Sequence, residues 1–314
     1  MHSHQLLLLS RDHARYRELL TAAGLPGLAI AWSDKETGLP PEAATAEIVL
    51  GEPALLARYL PQLPQLAWAQ STFAGVDALM APGLRQDYQL TNVRGVFGPL
   101  MSEYVFAHLL SLTRHLPLYR QQQQQHQWQS HPYRPLASRR MLILGTGDIG
   151  QHLAATARHF GMQVIGVNRS GRDVAGFDDI YQLEALPRLL PEADVVVSVL
   201  PATRETHHLL SADLLACCRS DAVLFNVGRG DVVAADALFD ALQQGRPAVA
   251  VMDVFEEEPL PRHHPLWTRQ NVIITPHNAA WSLPEQVVQI FSRNYLRWQA
   301  GESLLYGIDF TRGY

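Results

Sequence analysis

Cysteine is nearly absent from this chain: Cys217 and Cys218 are the only two in 314 residues. Adjacent residues cannot tie distant segments together, so a disulfide framework is excluded and a reducing compartment is the simplest reading. Lysine is scarcer still. Of 25 basic residues only Lys35 is lysine, leaving 24 arginines, a skew that reads as mutational bias at most positions. No stretch approaches the roughly 20 apolar residues of a membrane helix. The N-terminal apolar run, Leu6 to Leu9, is too short for a signal peptide. A soluble, cytoplasmic protein with no membrane partner is therefore expected. Positive charge is not in excess either: 25 basic against 30 acidic residues give a net charge of −5. That balance offers no basic field for nucleic acid.

What is present is ordinary globular composition, 47% hydrophobic and 18% charged, with 21 Gly and 20 Pro. Disorder, collagen-like repeats and coiled coil are excluded as starting points. At roughly 150 residues per domain, the length suggests two domains.

The first third alternates short apolar runs (5–9, 28–32, 48–50, 66–69) with helical or turn-rich stretches. Residues 11–23 read as a helix stopped by Gly24. Residues 98–118 read as one long helix, with Leu100, Val105, Leu109, Leu112 and Leu116 at helical spacing. The five glutamines at 121–125 continue it as a solvated end, and Pro132 and Pro135 break the chain. From Arg140 onward, runs at 141–144, 164–167, 195–200, 223–227, 248–252 and 272–275 are dense in Val, Ile and Leu. Lacking a polar alternate face, they read as strands buried on both sides of a parallel sheet. Helix-length segments such as 150–160 and 234–244 lie between them, which argues a doubly wound α/β domain. A last helix is expected over 284–299.

The run Gly145-Thr146-Gly147-Asp148-Ile149-Gly150 follows the first of these strands and opens a helix. G-x-G-x-x-G in that position is a dinucleotide-binding loop. The first glycine permits the tight turn, the second lets backbone approach a pyrophosphate, and the third allows close helix–strand packing. The helix N-terminus supplies free N–H groups to the anion. NAD-binding loops place Asp or Glu roughly 20 residues further on. Here the next strand ends in Asn168-Arg169-Ser170-Gly171-Arg172, with no carboxylate. The missing acid removes repulsion against a 2′-phosphate, Arg169 can bind it with charge-assisted hydrogen bonds, and Ser170 adds a neutral one. NADP is therefore preferred over NAD.

Glycine loops also serve methyltransferases and flavoenzymes, so the other strand ends must decide. They deliver Gly228-Arg229-Gly230-Asp231, then Asp253-Val254-Phe255-Glu256-Glu257-Glu258-Pro259, then Pro276-His277-Asn278-Ala279-Ala280. Ligands in open α/β sheets lie outside the carboxyl ends of strands, so these turns converge on one crevice. An arginine, a carboxylate and a histidine there make a coherent reducing site. The same strand ends add Leu200, Pro201, Val227, Gly228, Asp253 and Ala279 to the candidate cofactor contacts. The pairs His207-His208 and His263-His264 lack metal-ligand spacing, and no metal is expected.

Taken together, G-T-G-D-I-G, N-V-G-R-G, D-V-F-E-E-E-P-L-P and T-P-H-N-A-A resemble the D-isomer-specific 2-hydroxyacid dehydrogenase family. Ala74-Gly75-Val76-Asp77 resembles that family's substrate loop. The ending G-I-D-F-T-R-G-Y is most like its glyoxylate/hydroxypyruvate reductase A branch. The resemblance implies that Arg229 binds the carboxylate and carbonyl of a small 2-oxo acid and that His277 donates the proton. It selects Glu258, directly before Pro259, as the glutamate that holds the imidazole. It also implies that the Ala74–Val76 backbone receives the substrate carboxylate, with Trp281 as a pocket wall, and that the protein is a homodimer. The implied fold is a Rossmann-type NAD(P)-binding domain, 103–275, inserted into a flavodoxin-like substrate domain, 1–102 and 276–314, with the cleft between them. The second reading is a dinucleotide-sensing binding protein, similar to the corepressors that keep this fold. An L-2-hydroxyacid dehydrogenase fits poorly, because its glycine loop lies near the N-terminus.

Overall fold

A computed structural model describes residues 4–33, 38–311 and 313. Lys35, and Arg312 and Tyr314 of the C-terminal motif, lie outside them. The chain divides into two compact α/β units, one running to Val96 and resuming at Ser282, the other spanning Phe97–Trp281. The boundaries expected at 102/103 and 275/276 fall inside a continuous helix and just before the His277 turn. A helix packs as a whole, so the helix and the turn both go with the second unit.

In the first unit, β1 (His4–Leu9), β2 (Leu28–Ser33), β3 (Ile48–Gly51), β4 (Trp68–Ser71) and β5 (Gln89–Thr91) form one parallel sheet. Its order, β2-β1-β3-β4-β5, is that of flavodoxin-like folds. Helices α1 (His13–Ala23) and α2 (Pro53–Tyr59) connect the strands. Gly24 ends α1 in the left-handed conformation, φ 59°. After the second unit the chain returns as the helix Pro284–Gln299, which buries Val287, Val288, Phe291, Asn294 and Tyr295 along one face. It docks on this sheet through Phe291 stacked on Trp68 at 5.2 Å, and through Tyr295, which donates to the Pro26 carbonyl at 2.7 Å.

The second unit begins with α3 (Phe97–Thr113) and α4 (Leu116–Gln124). The single helix expected over 98–118 is thus two: His115 takes a left-handed φ of 53° and Pro117 sits in the first turn of α4. Gln122 of the glutamine run is buried and bonded to His131. Then follow β6 (Arg140–Leu144), α5 (Asp148–His159), β7 (Gln163–Val167), β8 (Asp179–Tyr181), α6 (Leu186–Leu189) and β9 (Val195–Ser198). The unit closes with α7 (Ala212–Ala216), β10 (Val223–Asn226), α8 (Ala235–Gln243), β11 (Val249–Met252) and β12 (Val272–Ile274). All seven strands are parallel in the order β12-β11-β10-β9-β6-β7-β8, the Rossmann arrangement with one strand added. Side chains alternate between two buried clusters, Leu142, Leu144, Val196 and Leu224 on one face and Met141, Ile143, Val197 and Phe225 on the other. That is why these strands read as continuous apolar runs. Two edge strands, β5 and β8, went unread because each is three residues of mixed polarity. The returning helix is α9. Among the described residues no helix is long and apolar enough to cross a membrane. Both cysteines are free, and burial pushes the Cys218 thiol up to about 12.

Candidate active site

The glycine loop bridges β6 and α5 at the point where strand order reverses, since β6 pairs with both β7 and β9. Gly145 adopts a φ of 104°, and a Cβ on Gly150 would lie 2.0 Å from the Gly145 carbonyl oxygen. The third glycine is therefore demanded by the approach of α5 to its own loop. At Gly147, the residue that opens α5, a Cβ would meet nothing within 4 Å. Open space before a helix start whose first N–H groups lack helical partners is the geometry an anion needs.

Thr146 and Asn168 are brought together: Asn168 Nδ2 donates to Thr146 Oγ1 at 3.0 Å and to the Arg172 carbonyl at 3.0 Å. Asn168 Oδ1 accepts from the Ser170 N–H at 3.1 Å and from its hydroxyl at 3.2 Å. This Asx-type turn fastens the strand end to the glycine loop and leaves Arg169 exposed. Ser170 is engaged within the turn, where its oxygen also accepts from Arg172 Nε at 3.2 Å. Arg172 is thus a second guanidinium at this turn, beside the expected Arg169.

The other candidates gather at the ends of β9, β10, β11 and β12. Gly228 backs onto the Leu200 backbone, and a Cβ on Gly230 would strike the Phe255 backbone at 1.9 Å. The two glycines let the Arg229 turn press against neighbouring strand ends. Arg229 Nη1 donates to the Gly228 carbonyl at 2.9 Å, and the Arg229 carbonyl accepts from Asn226 Nδ2 at 2.9 Å. Pro201 is exposed, while Val227 and Ala279 are buried.

His277 Nδ1 lies 2.8 Å from Glu258 Oε2, and Glu258 Oε1 accepts from the Phe255 N–H at 2.9 Å. The hydrogen bond that His277 donates to the Glu258 carboxylate raises the His277 pKa, with burial and the Arg229 charge opposing it. Burial pushes the Glu258 carboxyl up, but the bonds from His277 and Phe255 and the charges of His277 and Arg229 hold it lower on balance. Arg229 is thus close enough for its charge to act on both partners.

Asp253 braces the turn. It is buried, and its Oδ1 accepts from Thr275 Oγ1 at 2.6 Å and the Asn278 N–H at 2.9 Å. Its Oδ2 accepts from the Ala279 N–H at 2.9 Å, and its carbonyl accepts from the His277 N–H at 2.9 Å. These bonds hold His277 at a φ of 52°, a left-handed conformation uncommon outside glycine. The Tyr104 hydroxyl meets Thr275 Oγ1 at 2.6 Å and extends the network into α3. Thr275 stands in the T-P-H-N-A-A motif without a role of its own, and a lone tyrosine in a helix such as Tyr104 carries no motif.

Ala74, Gly75 and Val76 belong to the first unit, where the Ala74 carbonyl accepts from Asn92 Nδ2 at 2.6 Å and Val76 is buried. Trp281 ends the second unit with 67% of its surface exposed. The histidine pair passed over for want of spacing has gained a neighbour: His208 Nε2 lies 3.1 Å from Glu256 Oε2.

Residues 106–279 match the family described as D-isomer specific 2-hydroxyacid dehydrogenase, NAD binding domain. A D-isomer specific 2-hydroxyacid dehydrogenase family protein from Aeromonas salmonicida subsp. salmonicida A449 is 56% identical. The likeness covers 98% of this chain and 99% of that one, with a TM-score of 0.94. The D-isomer specific 2-hydroxyacid dehydrogenase from Xanthobacter autotrophicus Py2, solved with NADPH and MES, is 32% identical. It covers 99% of this chain and 100% of its own, with a TM-score of 0.90. Glyoxylate/hydroxypyruvate reductase A from Yersinia enterocolitica serotype O:8 is 34% identical over 216 residues, 68% of each protein.

Proposed function

Because the chain belongs to the D-isomer specific 2-hydroxyacid dehydrogenase family, we propose that it reduces a small 2-oxo acid, glyoxylate or hydroxypyruvate, using NADPH in preference to NADH. The observation that carries this reading is the His277–Glu258 pair at 2.8 Å, within reach of the Arg229 charge and in the same unit as a dinucleotide loop. The loop fits the cofactor, since a side chain is sterically barred at Gly150 and the space at Gly147 is open. Gly145, Thr146, Gly147, Asp148, Ile149 and Gly150 would hold the pyrophosphate. Asn168, Arg169 and Ser170 would hold the ribose with its 2′-phosphate, and Leu200, Pro201, Val227, Gly228, Asp253 and Ala279 the nicotinamide side. When bound, the dinucleotide supplies a hydride from its C4 atom.

Nδ1 of His277 is taken by Glu258, so Nε2 is the atom that holds the proton for the ketone oxygen. Glu258 favours the protonated imidazole, and an unperturbed pKa of about 6.5 makes His277 able to lose and regain that proton near neutrality. Arg229 clamps the carboxylate through paired N–H groups, a geometry that lysine lacks. The roles of the Ala74–Val76 backbone and of Trp281 rest on resemblance alone. The same resemblance carries a homodimer, which sedimentation of the purified protein tests. A cytoplasmic location rests on the cysteine usage and the short N-terminal apolar run, and cell fractionation tests it.

Steady-state kinetics with glyoxylate, hydroxypyruvate, pyruvate and bulkier 2-oxo acids, with both cofactors, test the reading. The expected result is a higher kcat/KM with NADPH on the small acids. Arg169→Ala should raise KM for NADPH by about tenfold or more, the worth of a charged hydrogen bond, and spare NADH. A higher kcat/KM with NADH overturns the cofactor preference. No turnover of any acid favours the dinucleotide sensor.

A further inference from the structure

We propose that His207, His208 and Glu256, with Asp231 behind them, form a site for one zinc-like divalent ion on the loops next to Arg229 and Glu258. In sequence the pair His207-His208 has no partner at ligand spacing. The fold supplies one, because β9, β10 and β11 are neighbours in the sheet and their following loops emerge side by side. Those loops carry His207 and His208, Asp231, and Glu256 respectively.

One donor atom from each of His207, His208 and Glu256 lies within 4.8 Å of the others. Ligand bonds of about 2.0–2.1 Å in tetrahedral geometry place donor atoms roughly 3.3 Å apart. His208 Nε2 and Glu256 Oε2, at 3.1 Å, already have that spacing. The His207 ring stacks on His208 with centroids 4.0 Å apart, so the two lone pairs run nearly parallel and His207 has to turn about its side-chain bonds to bring in the third donor. His207 Nδ1 lies 3.6 Å from Asp231 Oδ2, near enough for that carboxylate to take the N–H as the carboxylates of metal-bound histidines do, once Nε2 holds the ion. Asp231 Oδ1 is buried with no hydrogen-bond partner among the described residues.

The backbone is set as well. His208 N–H donates to the Asp231 carbonyl at 2.7 Å and Leu210 N–H to the Val232 carbonyl at 2.9 Å, lacing the two loops together. The side chains of His207, His208 and Glu256 keep 51%, 42% and 52% of their surface exposed, so an ion can enter from solvent. Two imidazoles and a carboxylate suit zinc and not magnesium, which takes oxygen donors and keeps its waters. The fourth position falls to water. A bound ion ties Glu256, two residues before Glu258, to the loop after β9.

Calorimetric titration of the metal-free full chain with zinc chloride tests the site, and it does not depend on the reductase reading. The variants are Glu256→Gln, which keeps shape, and His208→Asn, since asparagine tolerates the φ of 49° at that position. The wild type should take up one equivalent that magnesium chloride does not mimic. Each variant should weaken that binding by at least about tenfold. Zinc should raise the melting temperature of the wild type more than that of either variant at the same concentration, and metal-free melts and kinetics should be the same in all three. Equal zinc binding by the wild type and both variants would place the ion on other histidines and overturn the proposal. So would the absence of binding below millimolar zinc, or an equal response to magnesium.

Discussion

Two histidine–glutamate pairs hang from one short segment after β11. Glu256 faces His208 at 3.1 Å, and Glu258 faces His277 at 2.8 Å. Exposure of the imidazole does not separate them, since the His277 side chain keeps 53% of its surface and that of His208 keeps 42%. Bracing does. Glu258 is also held by the Phe255 N–H, and the His277 turn is held by Asp253, with Thr275 and Tyr104 behind it. An ion pair of this exposure contributes little stability by itself. On the proposed readings, a pair whose side chains are fixed by other bonds serves to handle a proton, and one whose side chains have only each other and solvent is open to a metal ion.

The sharpest break in this comparison is His277→Asn, which keeps a residue at ease with positive φ and removes the imidazole. Its kcat should fall by about 10²–10⁴-fold, the usual worth of a general acid. Affinity for NADPH, followed by fluorescence titration, should stay near wild type. His208→Asn, assayed without metal, should leave kcat where it was. A comparable loss in both would erase the distinction between the pairs.

Glu258→Gln should act next most strongly, and with a definite pH dependence. Glu258 raises the His277 pKa, so its loss moves the alkaline limb of the kcat/KM profile to lower pH and costs most activity on the alkaline side. If Glu257→Gln were inactive and Glu258→Gln normal, the assignment would be one residue out of register. The same shifts set a stability window. The contribution of His277 is full below about 6.5 and lost as pH rises through its raised folded value. That of Glu258 is full above the ordinary carboxylate range and lost as pH falls through its lowered value. The pair therefore stabilises the fold between those limits.

Tyr104→Phe should have a smaller effect. It removes the 2.6 Å contact with Thr275 and should lower stability by about 0.5–1.5 kcal/mol in urea unfolding. If Tyr104 positions the His277 turn, kcat falls while KM for NADPH holds, and Thr275→Val repeats the effect. Unchanged kcat in both variants would make the network purely structural. Smallest of all are the coupling energies: double-mutant cycles on unfolding should give at most about 1 kcal/mol for either His–Glu pair.

The parts of this protein that were legible in sequence are those where chemistry and chain geometry are local. A strand running into Gly145–Gly150 and on into α5 declares its turn, because Gly150 has no room for a side chain and Gly145 no ordinary φ. The doubly buried strands β9, β10 and β11 declare themselves by apolar density. Edge strands β5 and β8 do not, since a strand with one neighbour needs no such composition. The break at His115 was masked by leucines whose spacing continues across it. The roles of Tyr104 and Thr275 were invisible for another reason: they meet through a hydrogen bond between residues far apart in sequence, a partnership set by the fold.

By itself, the order of residues determined two α/β units, a dinucleotide loop without a ribose-binding acid, and an arginine, a glutamate segment and a histidine at successive strand ends. All of these follow from local conformation and alternating burial. Resemblance selected Glu258 for His277, but that Glu256 meets His208 was decided only by the tertiary structure. The loops after β9, β10 and β11 become neighbours through sheet order, not through sequence separation. Glu256 and Glu258 are two residues apart in a loop, where no fixed period says which way a side chain points, and the backbone bonds from Asp253 and Phe255 supply that direction.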